Sequence, residues 1–144
     1  MLSFRNKRGS LSLLNTPLIL FILISITILR IYSLYLSPIE LSVDEAQYWH
    51  WSRNIDFGYF TKPPFIAWII GFSTFMFGNE EWAVRLFSPI THFCISLVLW
   101  GTAKLVFGSN PGKIAALIWI FTPVASFGGF IISTDTPLLL FWSL

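Results

Sequence analysis

The sequence predicts an all-α protein built from several membrane-spanning helices. Hydrophobic residues make up 55% of its 144 residues, and charged residues only 11%, less than half of the roughly 25% found in soluble domains. So few charges cannot cover a soluble surface, and the same composition excludes a disordered chain. One cysteine, Cys94, excludes an internal disulfide framework. The net charge of +2 is too small to indicate a nucleic-acid partner.

The charged residues are separated by uncharged runs that are long enough to cross a bilayer. A spanning helix needs about 20 mainly apolar residues, with a lower limit near 17. The four runs are residues 9–29, 63–79, 86–103 and 114–134. From them we predict three complete spans and the start of a truncated fourth, at residues 17–36, 83–107, 113–132 and from 137 onwards.

Prolines and the charged residue Arg30 refine the prediction of these helices. Thr16-Pro17 is typical of a helix start, because proline is favoured at the first helical position. Pro123 falls inside the third span and predicts a kink there. Arg30 lies in the outer part of the first span, where it either snorkels to the headgroups or faces a partner helix. His92 and Cys94 lie in the second span and are interpreted as packing residues.

We predict that residues 65–77 do not cross the membrane. This apolar core is only 13 residues long, which favours a re-entrant or interfacial helix. The chain then has an outer loop at residues 37–82 that holds interfacial helices, and all seven acidic residues lie on the outer side. Five basic residues lie together on the other side: Arg5, Lys7, Arg8, Lys104 and Lys113. The positive-inside rule makes that side cytoplasmic. The sequence therefore predicts a multi-pass protein of the cell (inner) membrane whose uncleaved N-terminus is cytoplasmic.

The outer loop begins with a capping-box pattern, in which Ser42 caps a short helix and Glu45 is its third residue. Asp44 then lies in the first turn, where the helix dipole favours a carboxylate. Such a carboxylate at the membrane surface can accept a proton from a substrate hydroxyl. The alternative is a plain capping box on an interfacial helix.

Three further charges of the outer side are candidates for binding a substrate. Lys62 precedes Pro63-Pro64 and a helix N-terminus, a combination that suits a phosphate. Asp135 precedes the fourth span and could pair with Lys62, bind a metal with Asp44 or position an acceptor. Arg85 begins the second span and could contact a lipid phosphate. The alternatives are snorkelling for Lys62 and Arg85, and an ordinary loop acid for Asp135.

Four motifs, in this order, resemble the N-terminal part of membrane glycosyltransferases of family 39. This family includes the protein O-mannosyltransferases and the lipid A aminoarabinose transferases. The motifs are Asp44-Glu45-Ala46-Gln47-Tyr48-Trp49, Gly58-Tyr59-Phe60-Thr61-Lys62-Pro63-Pro64, Val84-Arg85-Leu86 and Thr134-Asp135-Thr136-Pro137-Leu138. The resemblance implies a C-type glycosyltransferase fold, in which the first outer loop carries the catalytic acid.

The resemblance also implies partners and roles for individual residues. The partners are membrane lipids and a polyprenyl-phosphate-linked sugar donor, with a hydroxyl acceptor on the extracytoplasmic side. Asp44 becomes the catalytic base, with Glu45 beside it. The substrate-binding candidates are Lys62, Arg85, Asp135 and Tyr59. A divalent metal near Asp44 and Asp135 stays open, because members of the family differ in this respect.

Two other functions are compatible with the sequence. Members of the family are several times longer than this chain, so it could be a catalytically inactive truncated remnant or a subunit that keeps the helix framework. It could also be a small transporter component that uses Asp44, Lys62 and Asp135 as an ion site. A transporter favours charges at mid-membrane depth, whereas these charges are predicted at the outer surface.

Overall fold

The computed structural model describes residues 15–144, and this part of the chain contains helices and no strands, which confirms the all-α class. Eight helices follow one another: α1 Thr16–Leu36, α2 Val43–Ser52, α3 Phe65–Phe77, α4 Glu81–Arg85, α5 Phe87–Phe107, α6 Ser109–Phe121, α7 Pro123–Gly128 and α8 Asp135–Ser143. The basic residues Arg5, Lys7 and Arg8, which helped to predict the orientation, lie outside the described residues.

Two helical stretches are long and apolar enough to cross a membrane. They are Thr16–Leu36, with 21 residues, and Glu81–Phe107, with 27, in which α4 continues into α5. They coincide with the first two predicted spans. The two stretches are antiparallel, because Arg85 at the start of the second donates hydrogen bonds to the carbonyl oxygens of Ile39 and Glu40, just after the first. We call the end where α1 finishes and α5 begins the loop end.

Residues 37–85 leave the loop end and return to it. Within them, α3 has 13 residues and is therefore about 20 Å long, shorter than the roughly 30 Å hydrocarbon core of a bilayer. That residues 37–82 form an outer loop in which α3 does not cross the membrane stays a prediction.

The segment predicted as the third span is divided into two helices. The first, α6, ends at Phe121, Thr122 is extended (φ −61°, ψ 143°), and α7 begins at Pro123. Proline forces the preceding residue out of the helical region, so the change is larger than the predicted kink. The loop before this segment, which the predicted spans place at residues 108–112, is also shorter than expected. Only Gly108, at a φ of 99°, separates α5 from α6.

Arg30 occupies the break between α6 and α7. Its Nη2 donates to the carbonyl oxygen of Ile120 at 2.6 Å and to Oγ of Ser126 at 2.9 Å. Carbonyl groups at a helix C-terminus lack intrahelical partners and carry partial negative charge, so a guanidinium is well suited to them. Of the two alternatives for Arg30, the structure shows the contact with a partner helix.

The helix predicted as the fourth span, α8, also begins at the loop end. Oγ of Ser88, in the first turn of α5, donates to the carbonyl oxygen of Ile131 at 2.8 Å and also to that of Gly128. Residues 129–134 therefore lie beside the start of α5, and α8 runs from there. It begins at Asp135, two residues before the predicted start.

Two apolar clusters hold this arrangement together. One joins α1 to α6 through the buried side chains of Ile19, Leu23, Ala116 and Ile120. The other lies at the loop end and contains Tyr48, Ile66, Ile70, Val84 and Ile132. The second cluster brings α2, α3, α4 and the segment before α8 into one unit, which is the setting of the candidate site.

Candidate active site

The helix that carries Asp44 starts with the predicted capping box. The backbone N–H of Glu45 donates to Oγ of Ser42 at 3.4 Å, and the N–H of Ser42 donates to Oε2 of Glu45 at 2.9 Å. These reciprocal bonds fix the first turn of α2. Asp44 lies in that turn, and its side chain is exposed.

Glu45 is buried in the loop end and binds three segments of the chain. Its side chain is 1% exposed and forms a bidentate ion pair with Arg85, with 2.8 Å from Nε to Oε1 and 2.7 Å from Nη2 to Oε2. The backbone N–H of Ile132 donates to Oε1 at 3.0 Å. With the bond from Ser42, this carboxylate accepts four hydrogen bonds. We call these four residues the Glu45 network.

The charge state of Glu45 follows from these contacts. Burial raises the pKa of the Glu45 carboxyl, but the hydrogen bonds from Arg85, Ser42 and Ile132 favour the carboxylate. Together with the positive charge of Arg85 they outweigh burial, so the pKa lies below its ordinary value of 4.5. Glu45 is thus ionised at neutral pH, and its oxygens are occupied.

Arg85 is placed differently from either expectation for it. Its side chain is 3% exposed. Besides the two bonds to Glu45, its Nη1 donates to the carbonyl oxygen of Ile39 and its Nη2 to that of Glu40, both at 2.9 Å. An arginine buried among protein groups neither snorkels nor presents its guanidinium to a lipid phosphate. Its contacts instead fix the path of the chain between α1 and α2.

The Glu45 network places two candidate acids at the same end of the molecule. Asp44 precedes Glu45 on α2, and Asp135 follows Ile132 by three residues. Both side chains are exposed. Within residues 15–144, no hydrogen bond or ion pair joins Asp44, Asp135 and Lys62 to one another. Asp44 and Asp135 share the loop end, and all three charges are available to other groups.

Tyr59 fixes the segment that leads to Lys62. Its hydroxyl lies 3.1 Å from the carbonyl oxygen of Trp51 and 2.9 Å from that of Asn54, and it accepts from the N–H of Asp56 at 3.1 Å. Its ring stacks on Trp51 with centroids 4.9 Å apart. These contacts make Tyr59 a support for the loop, because its polar group is already engaged. Its predicted contact with substrate stays a prediction.

Lys62 lies just before α3, and its side chain is half-buried. No side chain caps the first turn of this helix. The ring of Phe65, in that turn, packs against Phe141 of α8 at 5.4 Å between centroids. The Lys62 end of α3 therefore lies beside the helix that begins with Asp135.

The described residues contain no group of three or more His, Cys, Asp or Glu side chains that could hold a metal ion. A metal held by Asp44 and Asp135 therefore stays a prediction.

Two comparisons relate this chain to known proteins. The family model described as dolichyl-phosphate-mannose-protein mannosyltransferase matches residues 61–144. The lipid A galacturonosyltransferase RgtD of Rhizobium johnstonii is 38% identical over 123 residues, which are 85% of this chain and 26% of that protein. The chain thus spans about a quarter of the length of this curated relative. No solved structure gives a significant match.

The Glu45–Arg85 pair can be tested by removing each partner. Glu45→Gln or Arg85→Met should each lower the free energy of unfolding by about 3–5 kcal/mol, because each leaves one buried charge without its partner. The double variant should lose less than the sum of the two. Unfolding in detergent micelles, followed by circular dichroism, measures all three. The exposed acid Glu80 provides a control, since Glu80→Gln should change stability by at most about 0.5 kcal/mol. Additive losses in the double variant would contradict the pairing.

The lowered pKa of Glu45 predicts a loss of stability in acid. Its pKa is lower in the folded than in the unfolded chain, so the stabilisation is complete above the ordinary value of 4.5 and is lost as the pH falls through the folded value. Unfolding measured from about pH 6 to about pH 3 should show this decline, and it should be smaller in Glu45→Gln. An equal decline in both proteins would assign it to other groups.

Proposed function

This chain belongs to the dolichyl-phosphate-mannose-protein mannosyltransferase family of membrane glycosyltransferases, and we propose that it forms the N-terminal part of an enzyme that transfers a sugar from a polyprenyl-phosphate donor to a hydroxyl acceptor. One observation carries the proposal. The Glu45 network gathers Asp44 and Asp135 at one end of the helices, and the start of α3, which follows Lys62, packs against α8, the helix that begins with Asp135. Two acids and a cation at a membrane surface suit a phosphate-linked sugar and an attacking hydroxyl.

In this proposal the loop end faces the extracytoplasmic side of the cell (inner) membrane, and the N-terminus is cytoplasmic. The helices α1 and α5 cross the bilayer in opposite directions, and the segment α6–α7 crosses with its break near the loop end. Lys104 supports this orientation, because it lies in the last turn of α5, away from the loop end. Basic residues favour the cytoplasmic side.

Asp44 is the proposed catalytic base. Glu45, its neighbour, is buried and fully hydrogen-bonded, so Asp44 is the carboxylate of this pair that can meet a substrate. Asp44 takes the proton of the acceptor hydroxyl while the hydroxyl oxygen attacks the anomeric carbon of the sugar. The bond between that carbon and the phosphate oxygen breaks, and polyprenyl phosphate leaves with the electron pair. One displacement of this kind inverts the configuration at the anomeric carbon.

Lys62 is proposed to stabilise the departing phosphate. A phosphate is a weak base, so it needs nearby positive charge more than it needs a proton. Lys62 supplies a cation, and the uncapped first turn of α3 supplies backbone N–H groups beside it. Asp135 completes the polar surround from the start of α8, where it positions the sugar or the acceptor.

The role of Asp44 can be tested in membranes that contain the protein at its full natural length. Asp44→Asn should lower the rate of sugar transfer by about 10²–10⁴-fold, because the amide cannot accept the proton. Transfer of a radiolabelled sugar from a polyprenyl-phosphate donor measures the rate. Asp56→Asn is a matched control, since Asp56 is an exposed acid of the same loop and should retain activity.

Activity in Asp44→Asn within twofold of the wild-type rate would exclude Asp44 as the base. A wild-type protein that transfers no sugar from any such donor would reject the proposed function as a whole.

A further inference from the structure

An open groove of about 630 Å³ lies between the end of α2 and one face of α3. The two helices approach closely at Gly71, where an added Cβ would lie 3.1 Å from the carbonyl oxygen of Ser52. The apolar wall of the groove comes from α3 and from the segment after α2, and it consists of Ile55, Trp68, Phe72 and Phe75. Arg53 and Asn79 also line the groove, and none of the lining residues is acidic. We call it the α2–α3 groove.

The α2–α3 groove is separate from the candidate active site. None of Asp44, Lys62 and Asp135 lines it. Arg53 follows Asp44 by nine residues, at the opposite end of α2, and this spacing corresponds to about 14 Å along the helix. A ligand in the groove would therefore meet other side chains than those proposed for the reaction.

Two donor side chains of the groove are held by the ring of Trp49. The guanidinium of Arg53 lies over this ring at 5.2 Å from its centroid, within the range of a cation–π interaction. Nε1 of the ring donates to Oδ1 of Asn79 at 3.1 Å, which leaves the amide nitrogen of Asn79 to donate elsewhere. Within residues 15–144, neither side chain donates a hydrogen bond and Arg53 forms no ion pair. The groove thus presents a cation and an amide donor that both lack an acceptor.

The apolar wall of the groove is open to its surroundings. Phe72 is 57% exposed and Phe75 is 89% exposed. Both follow Trp68 at helical spacings of four and seven residues, so the three side chains share one face of α3. A continuous apolar face of this kind indicates contact with a partner or a membrane. In the proposed topology α3 does not cross the bilayer, so this face lies at the membrane surface with a cation beside it.

We propose that the α2–α3 groove binds an anionic phospholipid of the membrane. The lipid phosphate accepts hydrogen bonds from Arg53 and Asn79, and the upper part of an acyl chain packs on Phe72 and Phe75. A guanidinium suits a phosphate because it can donate two parallel charge-assisted hydrogen bonds. A soluble phosphate would leave the two phenyl rings in water, whereas a phospholipid covers them as well. The inference takes the position of the loop end at a membrane surface from the proposed topology. It does not depend on sugar transfer, so the two proposals can fail separately.

Three probes separate the parts of the lipid: phosphatidylglycerol, diacylglycerol with the same acyl chains, and glycerol 3-phosphate. Their binding to the purified full-length protein in detergent is titrated by native mass spectrometry. Phosphatidylglycerol should bind at least about tenfold more tightly than either of the others, because it alone meets both the donors and the apolar wall.

Substitutions of exposed residues locate the binding. Arg53→Gln should weaken phosphatidylglycerol binding by about tenfold, and Arg53→Lys by less, because lysine keeps the charge but loses the forked geometry. Asn79→Asp should also weaken it by about tenfold, since the carboxylate still accepts from Trp49 but repels the phosphate. Lys104→Gln is the matched control. It removes one positive charge at the far end of α5 and should leave binding within about twofold.

Unchanged binding of diacylglycerol shows that each variant is folded. Equal weakening in Arg53→Gln and Lys104→Gln would overturn the inference, because affinity would then follow net charge alone. Wild-type affinity in both Arg53→Gln and Asn79→Asp would place the lipid elsewhere on the protein. Glycerol 3-phosphate or diacylglycerol binding as tightly as phosphatidylglycerol would also contradict the proposal, since the groove would then recognise only one part of a lipid.

Discussion

The loop end depends on one buried carboxylate. Glu45 accepts hydrogen bonds from Ser42 beside it, from Arg85 forty residues later and from the backbone of Ile132 eighty-seven residues later. Burying an ion pair is unfavourable unless its geometry is good and its remaining hydrogen-bonding groups are satisfied. Here the pair is bidentate and both partners bind backbone groups as well. The exposed acids beside the network, Asp44 and Asp135, take their positions from it.

A second charged side chain, the half-buried Arg30, organises the other irregular part of the structure. Backbone groups freed by a helix break within a membrane need partners, because lipid supplies none. Arg30 provides them at the break between α6 and α7, and this break turns α7 towards the start of α5. A cavity lined by His92, Phe127 and Asp135 lies at that turn. Glu45 and Arg30 thus each support irregular backbone near the proposed active site.

The elements with local signals could be predicted from the sequence, whereas the contacts between distant segments could not. The capping residues and apolar lengths of α1, α2 and α3 indicated their positions closely. Pro123 indicated where the third predicted span is interrupted, but the size of the break depends on Arg30, which lies on another helix, α1. Nothing local identifies Arg85 as the partner of Glu45, and its isolated charge favoured an exposed role. That Nδ1 of His92 is buried without a hydrogen-bond partner becomes evident only once α5, α7 and α8 are packed together.

The central claim is that Asp44, Lys62 and Asp135 open on the same side of the membrane, and cysteine labelling tests it most directly. Cys94→Ala removes the native thiol, and Asp44→Cys, Lys62→Cys or Asp135→Cys then adds one thiol at a time. All three thiols should react with a membrane-impermeant maleimide added to intact cells. A thiol introduced by Lys104→Cys should react only after the cells are permeabilised. Labelling of any of the first three from the cytoplasmic side alone would contradict the account.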